Sequence, residues 1–318
     1  MTADPLVRRT DEDGIAVLTL DSPTNRNALS FRMMTALDQN LSAAAWDPQV
    51  RAVLLTHAGD VFCAGADLSE ATGRNGGRRR GAAESGTADA LRRLAWLLRS
   101  MVAMRKPVIA RINGHVRAGG LGLVGACDIA IAGPRSTFAF TEARLGLAPG
   151  VISLPLLPRV APRAAARYYL TGERFDAAEA ARIGLVTEAA TDVDQSLAPV
   201  LDGLRRASPQ GLAESKAMVA EEVLRAFDRD VEDFLRRSTR LFATAEAIEG
   251  MTAFLERRQP DWSRPAREGH QRGDEGDDAD RGQVSGAHRA APASPPDAAR
   301  RADPAAGPDG LTDRTGPR

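Results

Sequence analysis

The sequence predicts an α/β fold followed by a helical C-terminal part. Short apolar, β-branched runs alternate with segments of helical periodicity in the first half of the chain, and after Ser153 nearly every periodic segment is helical. Strands that alternate with helices are typical of a layered α/β core. The later helices indicate a helical subdomain after this core, predicted around residues 154–170, 176–183, 195–206, 209–226 and 230–257.

The individual elements of the core follow from local patterns. Runs of branched aliphatic residues predict strands at residues 14–20, 51–57, 107–112, 127–133 and 137–143. A helix over residues 31–46 is expected to begin at an N-cap, Ser30, and to end before Pro48. Residues 88–104 have apolar side chains at helical spacing, and LGLVGACD, residues 121–128, predicts a compact apolar helix.

Composition narrows the classes of function. The chain has 318 residues, of which 43% are hydrophobic and 4% aromatic, enough for a sizeable core. Basic and acidic residues number 42 each, which favours neither a nucleic acid nor an anionic membrane as partner. The N-terminus lacks a signal-peptide pattern, and no apolar run reaches the roughly 18 residues of a membrane span. Cys63 and Cys127 have no C-x-x-C partner, which argues against disulfide and zinc sites and favours a cytoplasmic location.

Two segments are expected to lie outside the packed core. Residues 263–318 are rich in Gly, Pro, Ala, Asp and Arg without an aromatic residue, so they predict a disordered tail. Residues 71–90 are similarly rich in Gly and Arg and predict a mobile loop, either a lid over a binding site or a solvated connection. The folded domain is expected to span residues 1–262, with a core over residues 10–200 and C-terminal helices over residues 201–262.

One stretch carries the G-x-G-x-x-G pattern of dinucleotide-binding loops. In RAGGLGLVGACD, residues 117–128, the pattern falls on Gly120, Gly122 and Gly125. A dinucleotide loop begins where its strand ends. Here the strand is predicted to end at Ile112, and two possible strands precede it, so the pattern is misplaced for a first βαβ unit. These glycines therefore indicate a purpose other than dinucleotide binding.

Two other loops share one design. In residues 59–70, GDVFCAGADLSE, and residues 112–123, INGHVRAGGLGL, a strand leads through small residues into a helix start. A helix start exposes backbone N–H groups that have no partner within the helix. Two such groups aimed at one point form an oxyanion hole, and small side chains let a substrate oxygen approach the main chain. Asp67 and Glu70 also resemble a capping box at the first helix start.

Over residues 10–262 the sequence resembles the crotonase superfamily of enoyl-CoA hydratases and isomerases. The stretches that carry the resemblance are NRNALS (25–30), FCAGADL (62–68), KPVIARINGHVRAGGLGLVGACDIAIAG (106–133), FAFTEARLGLAPG (138–150), LPRV (157–160) and EGMTAFLERRQPDW (249–262). The resemblance implies a crotonase-like spiral of ββα turns with C-terminal helices that form a homotrimer or a homohexamer. It also implies an acyl-CoA thioester as the substrate, with coenzyme A part of that substrate and no metal or redox cofactor.

The same resemblance assigns catalytic roles. The backbone amides of Ala66 and Gly119 would bind the thioester oxygen and hold the enolate. Hydratases of the family commonly carry two glutamates, but the position of the first is Gly122, so that carboxylate is absent. The second corresponds to Glu142, which becomes the single general acid/base. The neighbouring FAF and LGLAPG favour a desolvated carboxyl with a raised pKa over a solvated one.

Further residues receive binding roles from the resemblance. Arg26 and the backbone of Ala28 would contact coenzyme A, and the other predicted substrate- and CoA-binding residues are Ala64, Asp67, Leu68 and Gly120. Arg117 would pair either with a carboxylate on the acyl chain or with a structural carboxylate of the protein. His115 would either position a water molecule or pack within its loop.

Hydration of a 2-enoyl-CoA to a 3-hydroxyacyl-CoA is the favoured reaction. The motifs look most like those of bacterial methylglutaconyl-CoA-type hydratases, and Ile152 and Ser153 stand where many family members have two glycines. A single carboxylate also suits a Δ3–Δ2 enoyl-CoA isomerase. Because the first glutamate is missing, a non-catalytic acyl-CoA-binding protein is the third alternative.

Overall fold

A computed structural model describes residues 5–71 and 80–263 of the chain. The expected tail lies outside these residues except for Ser263, and residues 72–79 of the expected loop also lie outside them. From Arg80 onward the backbone is already helical, so the prediction of a loop up to residue 90 is wrong for that part. Alanine and glutamate in AAES favour a helix, which outweighs the two nearby glycines.

The described residues form strands and helices that alternate as predicted. The strands are β1 (Val7–Glu12), β2 (Ile15–Leu20), β3 (Ala52–His57), β4 (Val61–Cys63), β5 (Val108–Ile112), β6 (His115–Arg117), β7 (Ile129–Ala132), β8 (Thr137–Ala139), β9 (Phe175–Asp176) and β10 (Glu188–Ala189). The helices are α1 (Phe31–Trp46), α2 (Leu68–Ala71), α3 (Arg80–Ala103), α4 (Gly119–Ala126), α5 (Ser153–Leu156), α6 (Pro162–Thr171), α7 (Ala177–Arg182), α8 (Val193–Arg206), α9 (Pro209–Phe242) and α10 (Ala245–Leu255). The predicted α/β fold with a helical C-terminal part is confirmed.

The larger sheet has the strand order β1-β2-β3-β5-β7-β10. Only the β1–β2 pair is antiparallel among these described strands, and the other neighbours are parallel. Parallel strands covered on both faces are expected to be continuously apolar. The sequence AVLLTH of β3 fits this rule, since its first five residues are all buried.

The smaller sheet has the strand order β4-β6-β8-β9 and positions the candidate site. Strands β4, β6 and β8 run parallel, so their carboxyl ends meet at one edge. Strand β6 comprises three residues, HVR. The sequence predicts only a connection between a strand and a helix at this position. Such a short strand is stabilised by its neighbours and carries no pattern of its own.

Local signals set the ends of α1 as predicted. The Ser30 side chain accepts a hydrogen bond from the backbone N–H of Met33 at 3.1 Å, the arrangement of an N-cap. The helix ends at Trp46, two residues before Pro48. The apolar face of this helix, which includes Met33 and Leu37, is buried in the core.

The long C-terminal helix differs from the prediction. Residues 209–226 and 230–257 were expected as two helices, but α9 runs without a break for 34 residues and α10 follows it. The polar residues Asp228 to Asp230 caused the apparent gap. Phe227, directly before them, is fully buried, so this turn of the helix packs on the core and presents its charges elsewhere. No helix among the described residues is long and apolar enough to cross a membrane.

A buried ion pair joins α9 to the larger sheet. The Lys216 side chain is 4% exposed, and its Nζ lies 2.8 Å from Oδ2 of Asp128. It also donates to the carbonyl oxygens of Met101, at 2.8 Å, and Lys106, at 3.0 Å. Asp128 in turn accepts a hydrogen bond from the N–H of Val108 at 2.7 Å. Burial lowers the pKa of Lys216, and the charge of Asp128 opposes that effect.

We expect Lys216→Met to lower the free energy of unfolding by about 3–5 kcal/mol, because it leaves the Asp128 carboxylate buried without its cation. Urea denaturation measures this loss. The matched control is Arg225→Met, which removes an exposed ion pair with Glu221 and should change stability by no more than about 1 kcal/mol. Equal losses in the two variants would contradict the structural role of the buried pair.

Candidate active site

Three predicted site residues lie at one edge of the smaller sheet. Ala66 follows β4, Gly119 follows β6 and Glu142 follows β8. Because these three strands are parallel, their carboxyl ends face the same direction. Ligands of open α/β sheets commonly bind at the carboxyl ends of the strands. The topology therefore brings the predicted oxyanion donors and the predicted acid/base to one side of the molecule.

The loops after β4 and β6 approach each other closely. Gly65 has φ +90°, and a Cβ atom there would lie 2.8 Å from Cβ of Ala118 and 3.2 Å from N of Gly119. A Cβ atom on Gly119 would lie 3.5 Å from N of Ala66 and 3.1 Å from Cδ1 of Leu29. Only glycine fits at position 65, and a side chain at position 119 would press against Leu29, so the amide nitrogens of Ala66 and Gly119 lie close to one another.

Both of these amides are available to a ligand. Leu29 forms a parallel bridge with Ala66, and the N–H of Leu29 donates to the carbonyl oxygen of Gly65 at 2.8 Å. A parallel bridge of this kind uses the residues on either side of Ala66 and leaves its own N–H free. Gly119 is the first residue of α4, so its N–H has no acceptor within the helix. Neither amide donates to another residue in the described part of the chain.

Ala118 connects the sheet to this helix in a strained conformation. Its φ of 44° and ψ of −119° are rare for a residue with a side chain. The N–H of Ala118 donates to the carbonyl oxygen of Ala139 at 3.1 Å, which ties the turn to β8. Strain of this kind persists where surrounding contacts enforce it, and it is concentrated at functional sites. Here the strained residue lies directly before Gly119, the first residue of α4.

Glu142 is buried without a partner for one carboxyl oxygen. Its side chain is 9% exposed, and Oε2 makes no hydrogen bond with any described residue. Burial raises the pKa of Glu142 to about 7, because a desolvated carboxylate is unfavourable. The raised pKa expected from its apolar neighbours is confirmed. At neutral pH such a group can both donate and accept a proton.

Apolar side chains fill the space beside Gly122. A Cβ atom on Gly122 would lie 2.8 Å from Cγ2 of Ile152 and 3.1 Å from Cδ1 of Leu98. A larger side chain at position 122 would therefore collide with the start of α5. Ile152 thus occupies the region into which a carboxylate at position 122 would project.

A pair of hydroxyl groups accompanies Glu142. The oxygen atoms of Ser153 and Tyr169 lie 3.1 Å apart, and the Ser153 hydroxyl also donates to the carbonyl of Pro149. Burial raises the pKa of the Tyr169 phenol, and the nearby charge of Glu142 adds to this effect. Ser153 belongs to a family motif of the sequence, whereas Tyr169 lies outside these motifs on α6 and has no predicted role.

The loop before α1 is held by a buried amide. The side chain of Asn27 accepts from the N–H of Ser22 at 2.7 Å and donates to the carbonyl oxygens of Ala58 and Val61 at 3.2 and 2.7 Å. Arg26 and Asn27 have φ of 58° and 55°, so the chain turns sharply here. The carbonyl oxygen of Arg26 accepts from the N–H of Ala64 at 3.1 Å.

These contacts place the predicted CoA-binding residues beside the first oxyanion loop. Arg26 is exposed, whereas Ala28 is buried, and Ala64 is half-buried and bonded to the Arg26 carbonyl. Asn27, which supports the loop, was quoted in the motif but received no role from the sequence.

Comparison with known proteins agrees with this geometry. Residues 10–265 match the family model described as enoyl-CoA hydratase/isomerase. The chain belongs to this family. It is 31% identical over 251 residues to the 2,3-dehydroadipyl-CoA hydratase of Escherichia coli, covering 78% of this chain and 94% of that protein. It is 33% identical over 264 residues to the mevalonyl-coenzyme A hydratase sidH of Aspergillus fumigatus, covering 80% of this chain and 92% of that protein.

A solved structure is more similar still. The crystal structure of an enoyl-CoA hydratase from Mycobacterium avium is 52% identical to this chain, with a TM-score of 0.74. The alignment covers 82% of this chain and 100% of that one. The crotonase-like fold predicted from the motifs is therefore confirmed, and proteins of the enoyl-CoA hydratase/isomerase family act on acyl-CoA thioesters.

The predicted capping box of Asp67 and Glu70 does not form, so that prediction is wrong. Oδ1 of Asp67 accepts from the N–H of Ser69 at 3.0 Å, but Glu70 does not return to Asp67. Its Oε2 accepts instead from the N–H of Phe31, at 3.0 Å. Phe31 begins α1, where a free N–H and the positive end of the helix dipole attract a carboxylate. Leu68, the residue between these groups, begins α2 and is half-buried.

Gly120 and Arg117 both make close contacts with the smaller sheet. A Cβ atom on Gly120 would be 2.8 Å from Cβ of Cys63, so the side of this glycine that a side chain would occupy packs against β4. Arg117 forms no salt bridge with any residue in the ranges 5–71 and 80–263, so the expectation of a structural ion pair is not met there. Its guanidinium donates to the carbonyl oxygens of Val116 and Thr137, at 2.8 and 2.6 Å, and to the Thr137 hydroxyl at 2.8 Å. Thr137 begins β8, so this guanidinium points away from the carboxyl ends where Glu142 lies.

His115 also lies away from the carboxyl ends. It begins β6 and is exposed, so it is neither a packed loop histidine nor close to the oxyanion amides. Its Nδ1 is 3.0 Å from the Thr137 hydroxyl.

We expect Gly122→Ala to lower the free energy of unfolding by about 1–3 kcal/mol, because the new methyl group overpacks against Ile152. Thermal denaturation compares this variant with Gly203→Ala. Gly203 is an exposed residue of α8 with no atom within 4 Å of a new Cβ, so that change should stabilise by about 0.5–1 kcal/mol. A Gly122→Ala protein as stable as the control would mean that the space beside residue 122 is open.

Proposed function

We propose that the protein hydrates a 2-enoyl-CoA to a 3-hydroxyacyl-CoA, with Glu142 as the single general acid/base. One observation carries this proposal: a buried carboxyl with one oxygen that has no partner among the described residues lies at the same sheet edge as two amides that donate to no described residue. The amides of Ala66 and Gly119 hold the thioester oxygen. The similarity of this chain to the 2,3-dehydroadipyl-CoA hydratase and to the mevalonyl-coenzyme A hydratase supports the same reaction type.

The proposed reaction adds water across the C2=C3 double bond. The water oxygen bonds to C3, and the π electrons move through C2 to the thioester oxygen, which becomes an enolate oxygen. The protonated Glu142 carboxyl then delivers its proton to C2, and the proton released by water returns to the carboxylate. Each amide donor of an oxyanion hole contributes about 2.7–4 kcal/mol to transition-state stabilisation.

The lone carboxylate also supports a second reaction. Because Ile152 fills the space beside Gly122, the proposed site has one carboxyl group. A carboxylate alone can take a proton from C2 of a 3-enoyl-CoA and return it to C4, which isomerises the double bond. A protein that binds acyl-CoA without turnover is the remaining alternative.

A direct assay separates these functions. The protein is incubated with a 2-enoyl-CoA and, separately, with a 3-enoyl-CoA, and the absorbance of the conjugated thioester is followed. Loss of the 2-enoyl signal supports hydration, and a gain from the 3-enoyl substrate supports isomerisation. Binding of an acyl-CoA without change in either signal would refute both enzymatic proposals.

We expect Glu142→Gln to lower turnover at least about a hundredfold, because the amide cannot transfer a proton. The same variant should be as stable as the wild type or more stable above pH 7. A carboxyl with a raised pKa stabilises the fold at low pH and loses that contribution as pH rises through about 7, whereas the amide does not titrate. Turnover assays and thermal denaturation at pH 8 measure both effects. Near-normal activity would refute the role of Glu142.

The pH dependence of kcat/KM should distinguish hydration from isomerisation. Hydration needs the protonated carboxyl, so kcat/KM should fall as pH rises above about 7. Isomerisation needs the carboxylate, so kcat/KM should fall as pH drops below about 7. Rates measured from pH 5.5 to 9 with both substrates test this, and a flat profile across pH 7 would contradict the assignment of Glu142.

Three accompanying expectations remain proposals. We infer a trimer or hexamer in solution, which light scattering after size-exclusion chromatography tests. We also infer that activity needs no metal or redox cofactor, so dialysis against a chelator should leave turnover unchanged. A cytoplasmic location is tested by cell fractionation.

A further inference from the structure

One face of the smaller sheet carries positive charges that the proposed hydration does not use. In the register of β6, β8 and β9, Arg117 pairs with Ala139 and Thr137 pairs with Asp176. Continuing this register by one residue places His115 beside Thr137, and Arg174, the residue before β9, beside Ala139. We call His115, Arg117 and Arg174 the cation cluster. Ala139 is small and buried, and the two arginines on either side of it lie close enough for the charge of Arg174 to act on Arg117.

The hydrogen bonds of Arg117 leave one edge of its guanidinium free. Nη1 donates to the carbonyl oxygens of Val116 and Thr137, and Nη2 donates to the Thr137 hydroxyl. These bonds occupy the edge of the guanidinium that Nη1 and Nη2 form. The Nε–H and the second hydrogen of Nη2 form its side edge and donate to no residue in the described ranges 5–71 and 80–263. This side edge is the fork that binds carboxylates and phosphates in a bidentate manner.

In another arginine of the sheets, a carboxylate occupies this side edge. Arg111 on β5 uses Nε and Nη2 to hold both carboxylate oxygens of Asp194, each at 2.6 Å. Arg117 is comparably half-buried but has no such partner. The bonds to Val116 and Thr137 fix the guanidinium in place, and its Nε–Nη2 edge makes no ion pair with any described residue.

The charge of the cluster is not neutralised nearby. Burial and the charge of Arg174 lower the pKa of Arg117 to about 10. No ion pair of Arg117 or Arg174 occurs within the described part of the chain. The facing carboxylates are otherwise engaged: Asp176 caps α7, and Glu179 binds Arg182 and Tyr168.

His115 completes the set of donors. The Thr137 hydroxyl accepts from Arg117, so its own hydrogen is available to Nδ1 of His115, 3.0 Å away. Accepting that hydrogen leaves the ring proton on Nε2, on the outer side of an exposed side chain. Burial and the charges of Arg117 and Arg174 lower the pKa of His115, and Asp60 opposes them more weakly.

We propose that the cation cluster binds a phosphate group, at a site distinct from the oxyanion amides and Glu142. The fork of Arg117 takes two oxygens of the ligand, and Arg174 and the Nε2–H of His115 approach others. A carboxylate has two oxygens and would be satisfied by the fork alone. Donors from three side chains suit a tetrahedral oxyanion, which offers three or more acceptor oxygens.

The test titrates inorganic phosphate into the full-length protein by calorimetry, at constant ionic strength because exposed charge interactions are screened by salt. We expect saturable binding that Arg117→Leu weakens at least tenfold. Arg117→Lys keeps the charge but not the fork and should weaken binding by a smaller factor. The matched control is Arg111→Lys, which alters an arginine whose fork is already filled and should leave the affinity within twofold.

Two further variants protect the result against misfolding. Arg174→Ala and His115→Gln remove none of the bonds that hold Arg117 to the backbone, and each should weaken binding severalfold. Sulfate stays fully ionised between pH 5 and 8, so its affinity should rise as pH falls and His115 becomes protonated, and His115→Gln should abolish this rise. Binding of glycerol phosphate as well as inorganic phosphate would identify a phosphate ester as ligand, and binding of inorganic phosphate alone would identify the free ion. Absence of saturable binding, or equal weakening by Arg111→Lys and Arg117→Leu, would overturn the proposal.

Discussion

The close approach of two backbone turns is the constraint on which the site depends. The amides of Ala66 and Gly119 can meet only if the turns after β4 and β6 touch, and a Cβ atom on Gly65 would be 2.8 Å from Ala118. That proximity requires parallel strands with aligned ends, a glycine at φ +90° and a strained alanine at φ 44°. The bridge to Leu29 and the bond from Ala118 to β8 hold these features together. The smaller sheet is therefore a support for two hydrogen-bond donors.

Buried ionisable groups have a partner of opposite charge in the core but not at the candidate site. Lys216 is surrounded by an ion pair and two carbonyl oxygens, so its charge is matched. Glu142 is also buried, but it forms no ion pair with any described residue, and burial raises its pKa to about 7. A buried carboxyl without a cation destabilises its charged form. The fold thus accepts an unfavourable group at the sheet edge, as functional sites commonly do.

Much of this arrangement could be predicted from sequence, because local chemistry determines it. The Ser30 cap, strands β2, β3, β5 and β7 of the larger sheet and the two small-residue loops each leave a pattern within a few neighbouring residues, whereas the edge strands β1 and β10 were not predicted. The partners of Glu70 and Arg117 left no such pattern. Glu70 binds the N–H of Phe31, 39 positions away, and Arg117 binds the start of a strand that pairs with its own. Such contacts depend on which strands become neighbours, and hydrophobic periodicity alone does not specify that.

The packing of Ile152 against Gly122 links the chemistry of the site to its core. These two positions are 30 residues apart, yet a side chain at one would occupy the space used by the other. Interiors are close-packed, so a larger residue at position 122 requires a smaller one at position 152. The absence of a second carboxylate is thus built into the contact between α4 and α5 and is not an isolated surface difference. The proposed reaction therefore assigns every proton transfer to Glu142, whose burial raises its pKa to about 7, near the value that transfer in both directions requires.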